Sequence, residues 1–301
     1  MRPIYTAGAI FMTASLLTAG IAAGAASRWP AAARFSDPAA CGTSVVYVGD
    51  DSKNYVAVYP QGGNNPSPCR TITMGVDDPT ALYVDAKGTL YVANYLPTSA
   101  PTVTEYLHGG SVPSTTIDTG VWGRDLFVGV DRTLYVAEVT GTVAEYAQGK
   151  TLTKTLTVNG EAFGVATDSK NDLYVSYLSN ADGVSHVEKF APKASTGTDL
   201  GFTIPLAGSL RLDKNNDIVI GDRNDDIVYV YPPGHTSPSR SFSTPLGKPE
   251  QLDFNKAESL LYVSGQGQVS IFDYQTGKQI GSIANGLIAP NGFAAYPPAA
   301  Y

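Results

Sequence analysis

Apolar and polar residues alternate along this chain in short runs, and the runs recur. The triplets Val46-Tyr47-Val48, Leu90-Tyr91-Val92, Leu134-Tyr135-Val136, Leu173-Tyr174-Val175, Ile218-Val219-Ile220 and Leu261-Tyr262-Val263 have middle residues 44, 44, 39, 45 and 43 positions apart. Each is followed by a second alternating run that ends on an aromatic residue: Tyr59, Tyr106, Tyr146, Phe190, Tyr231 or Phe272. Alternation of period two, bounded by Gly, Asn and Asp, predicts strands rather than helices. A further run precedes each triplet after the first across a tight turn, as in Leu82-Tyr83-Val84-Asp85, Val165-Ala166-Thr167-Asp168 and Leu210-Arg211-Leu212-Asp213. A fourth run rich in Thr or Ser closes most units, as at Arg70-Thr71-Ile72-Thr73, Ser114-Thr115-Thr116-Ile117, Lys154-Thr155-Leu156-Thr157, Ser239-Arg240-Ser241-Phe242 and Gln279-Ile280-Gly281-Ser282.

A repeat of this length fixes the architecture before any local assignment. Residues 44–301 hold six units of about 43 residues, each with four short strands and no amphipathic helix. That predicts an all-β fold, a six-bladed β-propeller with four-stranded antiparallel blades. The first unit lacks its opening strand, and Pro290-Asn291-Gly292-Phe293-Ala294-Ala295-Tyr296 is an opening strand without a blade. The C-terminal strand is therefore expected to join the N-terminal blade, closing the ring without an unpaired inner edge.

The opening motif Pro79-Thr80-Ala81-Leu82-Tyr83-Val84-Asp85, partly repeated at Pro249 to Asn255 and Pro290 to Tyr296, resembles that of the NHL-repeat six-bladed propellers. Tyr47-Val48-Gly49-Asp50 with Asn54 and Val56 strengthens the resemblance, which covers residues 44–301. The chain is more loosely similar to the gluconolactonase-like (SMP-30-like) propellers. The first resemblance implies a binding platform; the second implies a central divalent ion, held by Glu, Asn and Asp, acting as a Lewis acid on a lactone.

Composition narrows the class. With 43% hydrophobic and 16% charged residues the chain is too apolar to be disordered, and its 31 Gly and 20 Pro follow no triplet period, which excludes collagen. Residues 1–26 read as a signal peptide: Arg2, then an uncharged stretch from Ile4 to Ser27, then an Ala23-Gly24-Ala25 cleavage signal. The same stretch is long enough for an uncleaved anchor. Residues 27–43 read as a linker. Export to the periplasm or outside the cell suits one disulfide between the two cysteines, Cys41 and Cys69; two separate buried thiols are the alternative. The formal net charge of −7 makes nucleic acid and anionic membranes poor partners, and no stretch beyond the signal segment is apolar enough to span a bilayer.

Stacking the opening strands shows which side chains ring the channel mouth. One ring holds Thr80, Arg124, Phe163, Gly208, Glu250 and Asn291; the next holds Ala81, Asp125, Gly164, Ser209, Gln251 and Gly292. Thr80, Arg124, Asp125, Glu250, Gln251 and Asn291 are the candidate ligand-binding residues, and Asp125, Glu250 and Asn291 the candidate metal ligands. Calcium or another divalent cation is the cofactor such oxygens would take, none being required. The plainer reading has Arg124, Asp125 and Glu250 paired with one another. Carboxylates after the second strands, among them Asp50, Asp51, Glu138, Asp222, Asp225 and Asp226, are expected to be solvated. Asp213-x-Asn215-x-Asp217 lacks the Gly and Glu of a calcium loop and reads as a hairpin turn. His108, His186 and His235 all fall away from the channel mouth, and the recurrent tyrosines suit blade packing. The sequence thus predicts an exported monomeric module that binds a protein, peptide or carbohydrate through the channel-mouth face. A divalent-metal-dependent lactonase or esterase-like hydrolase is the alternative.

Overall fold

The computed structural model describes residues 41–95, 99–108, 110–245 and 247–299; the expected signal peptide and residues 27–40 of the expected linker lie outside them. Among the described residues, twenty-four strands form six four-stranded antiparallel sheets. The composite first blade runs β24 (Pro290–Tyr296), β1 (Val45–Asp50), β2 (Tyr55–Pro60), β3 (Arg70–Ile72) from the channel outward. The second holds β4 (Pro79–Val84), β5 (Leu90–Asn94), β6 (Thr102–Tyr106) and β7 (Thr115–Asp118); the third holds β8 (Gly123–Val128), β9 (Leu134–Glu138), β10 (Thr142–Ala147) and β11 (Thr151–Thr157). In the fourth are β12 (Gly160–Thr167), β13 (Leu173–Ser179), β14 (Ser185–Phe190) and β15 (Thr198–Ile204). The fifth has β16 (Ala207–Leu212), β17 (Ile218–Asp222), β18 (Ile227–Tyr231) and β19 (Arg240–Ser243), and the sixth β20 (Leu252–Phe254), β21 (Leu260–Gly265), β22 (Gln268–Asp273) and β23 (Lys278–Ile283).

The ring closes as the sequence predicts. Val45 pairs with Tyr296, Val46 with Ala295 and Tyr47 with Ala294, so the last strand is the innermost strand of the first blade. Cys41, just before β1, is bonded to Cys69, just before β3, with a Cα–Cα distance of 5.4 Å. The bridge spans that same composite blade.

Alternation explains the packing. Tyr47, Tyr91, Tyr135, Tyr174 and Tyr262 are buried between blades, and Leu82, Leu126, Leu210 and Phe293 of the inner strands are fully buried. Each such aliphatic or aromatic side chain contributes roughly 1.5–3 kcal/mol on leaving water. The fourth blade's outer strand, Thr198-Asp199-Leu200-Gly201-Phe202-Thr203-Ile204, carries no Thr-rich or Ser-rich run of the kind found in the other blades.

Carboxylates at the ends of second strands are not solvated as a set. Asp50, Asn94, Glu138 and Asp222 are buried and hold the loops. Asp50 accepts the Ile288 amide, Asn94 accepts the Asp77 amide and donates to the Gly75 carbonyl, and Asp222 accepts the amides of Asn224 and Asp225. Buried polar groups require such partners, so the repeated polar residue at this position serves the loops at this end of the blades: between blades for Asp50 and Asn94, and within the blade for Asp222. At the opposite end of the blades, Asp213 accepts the amides of Asn215 and Asp217, which closes the hairpin between β16 and β17.

Candidate functional site

Five of the six inner strands lose regular pairing near their first residues: register shifts fall between Pro79 and Ala81, Gly123 and Asp125, Ala162 and Gly164, Ala207 and Leu210, and opposite Asn291. A bulge re-aims side chains that would otherwise alternate. Consecutive residues such as Arg124 and Asp125 thereby serve two levels of the same channel. Glycine at the same level lets inner strands approach: a Cβ on Gly164 would lie 2.7 Å from the Leu210 amide nitrogen.

The lower level is a buried hub. Asp125 Oδ2 accepts from Arg211 Nη1 at 2.9 Å, and Asp125 Oδ1 accepts from Arg211 Nη2 at 3.2 Å, with both side chains fully buried. Asp125 also accepts the amides of Leu126 and Val165. Gln251 Nε2 donates to Asp125 Oδ1 at 2.9 Å and to the Leu82 carbonyl at 2.7 Å, while its Oε1 accepts the amides of Leu82 and Phe293. Arg211 donates further to the Leu210 carbonyl and lies beside the packed rings of Tyr83 and Phe127, 5.9 and 5.8 Å from their centroids. Asp253 accepts the amides of Phe254 and Ala295 and stands 3.9 Å from Arg211 Nε. Burial pushes the Asp253 carboxyl up to about 6, against the pull of Arg211. Through side chains of three blades and backbone groups of the other three, this network joins all six inner strands and fills the channel.

Above the hub lies the mouth, a cavity of about 260 Å³. Thr80, Arg124, Glu250 and Asn291 line it; Asp125 and Gln251 belong to the hub. Asp51, Asp78, Tyr95, Trp122 and Arg223 complete the wall. The three candidate ion-pairing residues do not pair with one another. Arg124 donates to Glu161 Oε1 from Nε at 2.9 Å and from Nη2 at 2.5 Å; Glu250 accepts from Arg223 Nη2 at 2.8 Å; Asp125 pairs with Arg211. Asn291 Nδ2 donates to Asp51 Oδ2 at 2.8 Å, and Thr80 Oγ1 donates to the Gly123 carbonyl at 2.8 Å. For a divalent ion to use Asp125, Glu250 and Asn291 together, Asp125 would have to leave Arg211. Among the described residues no three His, Cys, Asp or Glu side chains are grouped so as to hold a metal ion.

Rings and guanidinium groups stack along the wall. Tyr95 and Trp122 have centroids 4.8 Å apart, Arg124 lies 4.0 Å from the Trp122 ring and 5.0 Å from Phe163, and Arg223 lies 5.4 Å from Phe163. Asp78 sits at φ 49°, in the left-handed region, and its carboxyl is held above the ordinary value by burial and by the charges of Asp51 and Asp77. The buried Trp122 Nε1–H has no acceptor among the described residues, which costs on the order of 1–3 kcal/mol.

Arg211 and Asp253 escaped the sequence reading because the two stacked rings stopped one level too high. The next level aligns Tyr83, Phe127, Ala166, Arg211, Asp253 and Ala294. An Arg and an Asp at a position otherwise apolar were the available signal. Arg223 and Trp122 lie outside the stacked positions and come to the mouth from a neighbouring loop and strand end.

Two other cavities lie at the far end of the blades. One of about 560 Å³ lies against Asp213, Asp217, Arg240, Glu258 and Tyr274, several of which bond one another: Tyr274 donates to Asp213 at 2.9 Å, and Glu258 accepts the Lys214 amide. A second, of about 390 Å³, lies beneath Tyr83 and Phe127 beside Pro298 and Ala299.

No protein-family model matches this chain, and no curated protein does. Solved structures do. A nidogen/laminin complex contains a chain similar to it with TM-score 0.68 and 15% identity, covering 85% of this chain and 100% of that one. A protein of unknown function from Bacteroides caccae gives 0.64 and 14%, covering 84% and 98%. A functionally unknown protein from Desulfotomaculum acetoxidans DSM 771 gives 0.55 and 14%, covering 82% and 99%. At such identities the similarity defines the fold, a β-propeller, and leaves function to the site.

Proposed function

We propose that this chain is an exported NHL-type propeller that binds a protein, peptide or carbohydrate partner at the channel mouth. The observation that carries the reading is a cavity of about 260 Å³ with charged, amide and aromatic walls, seated on a channel that side chains fill. A ligand reaching the hub end of such a cavity meets fixed groups and stops there. Concave sites with a few convergent polar groups are the usual place for recognition. The Cys41–Cys69 bond supports export, since disulfides persist in oxidising compartments. A similar propeller occurs in a nidogen/laminin complex, which is compatible with an interaction role for this one. Among the described residues no helix is long and apolar enough to cross a membrane.

A photo-reactive amino acid at Tyr95, on the mouth, compared with one at Val130, which is exposed at the opposite end of its blade, tests the reading. Exposed to the extracellular material of its native source, the Tyr95 derivative is expected to form a discrete adduct that the Val130 derivative does not. Equal labelling from both positions, or labelling from Val130 alone, contradicts it.

A further inference from the structure

Asn-Gly occurs three times in the chain, at Asn159-Gly160, Asn285-Gly286 and Asn291-Gly292. In such a pair the glycine amide nitrogen can attack the asparagine Cγ, because no Cβ hinders it. A five-membered imide closes, the C–N bond of the side-chain amide breaks, and the N–H proton leaves with the amide nitrogen as ammonia. Water then adds to either imide carbonyl, giving aspartate, or isoaspartate with the chain rerouted through the side chain. No electrons are exchanged, and water is the only co-reactant.

The structure restrains two of the three pairs. Asn285 Nδ2 donates to the Asn65 carbonyl at 2.8 Å, and its Oδ1 accepts from Asn65 Nδ2 at 3.4 Å. Asn291 Nδ2 donates to Asp51 Oδ2 at 2.8 Å. Asn159 is exposed, and its side chain makes no hydrogen bond among the described residues. Gly160 stands opposite Ser179 in the ladder of β12 and β13, and Ser179 donates to the Val184 carbonyl on its other side, so β13 does not take the Gly160 N–H. A Cβ on Gly160 would lie 1.8 Å from the Leu178 carbonyl oxygen. Packing at the start of β12 thus keeps glycine there, and with it the reactive pair.

The product reaches the mouth. Glu161, the next residue, accepts from Arg124 Nε at 2.9 Å and from its Nη2, and Arg124 lies 4.0 Å from the Trp122 ring. Isoaspartate lengthens the main chain by one methylene two residues before Glu161. It also turns the Asn159 carbonyl, which accepts the Asn180 amide at 3.0 Å, into a free carboxylate.

We propose that Asn159 deamidates spontaneously to isoaspartate and that this change draws Glu161 away from Arg124 at the edge of the mouth.

Ageing full-length protein in heavy-oxygen water at mildly alkaline pH, then mapping its peptides by mass spectrometry, tests the proposal, with urea-unfolded protein as the comparison. In the folded protein Asn159 is expected to react at least roughly fivefold faster than Asn285 and Asn291, the factor that one hydrogen bond on the amide supplies. Unfolding should bring the three rates together. Asn159→Gln, at an exposed position, should keep the melting temperature and hold its tryptophan emission on ageing, whereas the emission of the native protein shifts as the Arg124 guanidinium leaves the indole. Asn285 or Asn291 reacting as fast as Asn159 in the folded protein overturns the proposal. So does Asn159 surviving there while the unfolded protein is converted. Isoaspartate at position 159 with emission as steady as that of the Asn159→Gln variant overturns the link to Arg124.

Discussion

Arg211 and Asp125 face each other across the channel from the fifth and third blades, joined by two hydrogen bonds of 2.9 and 3.2 Å, with neither side chain touching solvent. Removing one partner of a buried pair strands the other charge in a low-dielectric site. Arg211→Met should therefore lower unfolding free energy by about 3–5 kcal/mol. Asp253→Asn should cost only about 1 kcal/mol, since it gives up one amide hydrogen bond and Asp253 lies 3.9 Å from the guanidinium. Urea unfolding of the two variants checks the contrast; equal losses would contradict it.

Ring closure has its own test. The disulfide fastens the blade that the two ends of the fold complete together, across a separation of 28 residues. In the chain-entropy view, replacing both cysteines by serine should cost about 3–4 kcal/mol. The variant should still form six blades, because β24 pairs with β1 along its length. Loss of the cooperative transition altogether would assign the bond a larger part.

His186 supplies a pH dependence. Its Nδ1 lies 2.8 Å from Asp199 Oδ2 and its Nε2 lies 3.0 Å from Asp182 Oδ2, so serving both carboxylates takes two donors and hence the imidazolium. Burial opposes the charge, but the hydrogen bonds to Asp182 and Asp199 outweigh it and hold the ring above its ordinary value. Tyr177, stacked on the ring and bonded to Glu188, completes the surroundings. A raised folded-state value means that this stabilisation is complete below about pH 6.5, the unfolded value, and is lost as pH rises through the folded one. The stability difference between the native protein and His186→Gln should accordingly shrink from pH 5.5 to pH 8.5. A constant difference would contradict the clamp.

The mouth ion pairs are separable from the hub. Arg223→Met with Glu250→Gln removes a partly exposed pair and should change the melting temperature little, since such pairs contribute about 0–1 kcal/mol. A large drop would mean that the mouth shares the hub's structural role.

The fold was legible because it is written six times. Spacing alone located the hairpins, and the unpaired opening strand at Pro290 announced how the ring closes. β15 was not legible, because Thr198 to Ile204 carries charge, glycine and aromatic residues where other blades carry threonine or serine, and its pairing with β14 comes from tertiary context. The mouth was legible in part. Thr80, Arg124, Glu250 and Asn291 line one cavity, but partner choice depended on Glu161 and Arg223, whose reach no spacing reports. Asp125 and Gln251 stood out as polar residues in an apolar strand, yet their purpose depends on Arg211, 86 residues beyond Asp125.

The central claim is that one side-chain network ties all six inner strands and separates the mouth from the cavity beneath Tyr83 and Phe127. Gln251 tests this most directly, because its Oε1 alone accepts the amides of Leu82 in the second blade and Phe293 in the first. Hydrogen exchange of Gln251→Leu against the native protein is the measurement. The account predicts loss of protection at Leu82 and Phe293 together, far from the substitution in sequence. Loss confined to the sixth blade, with Leu82 and Phe293 as protected as before, would contradict it.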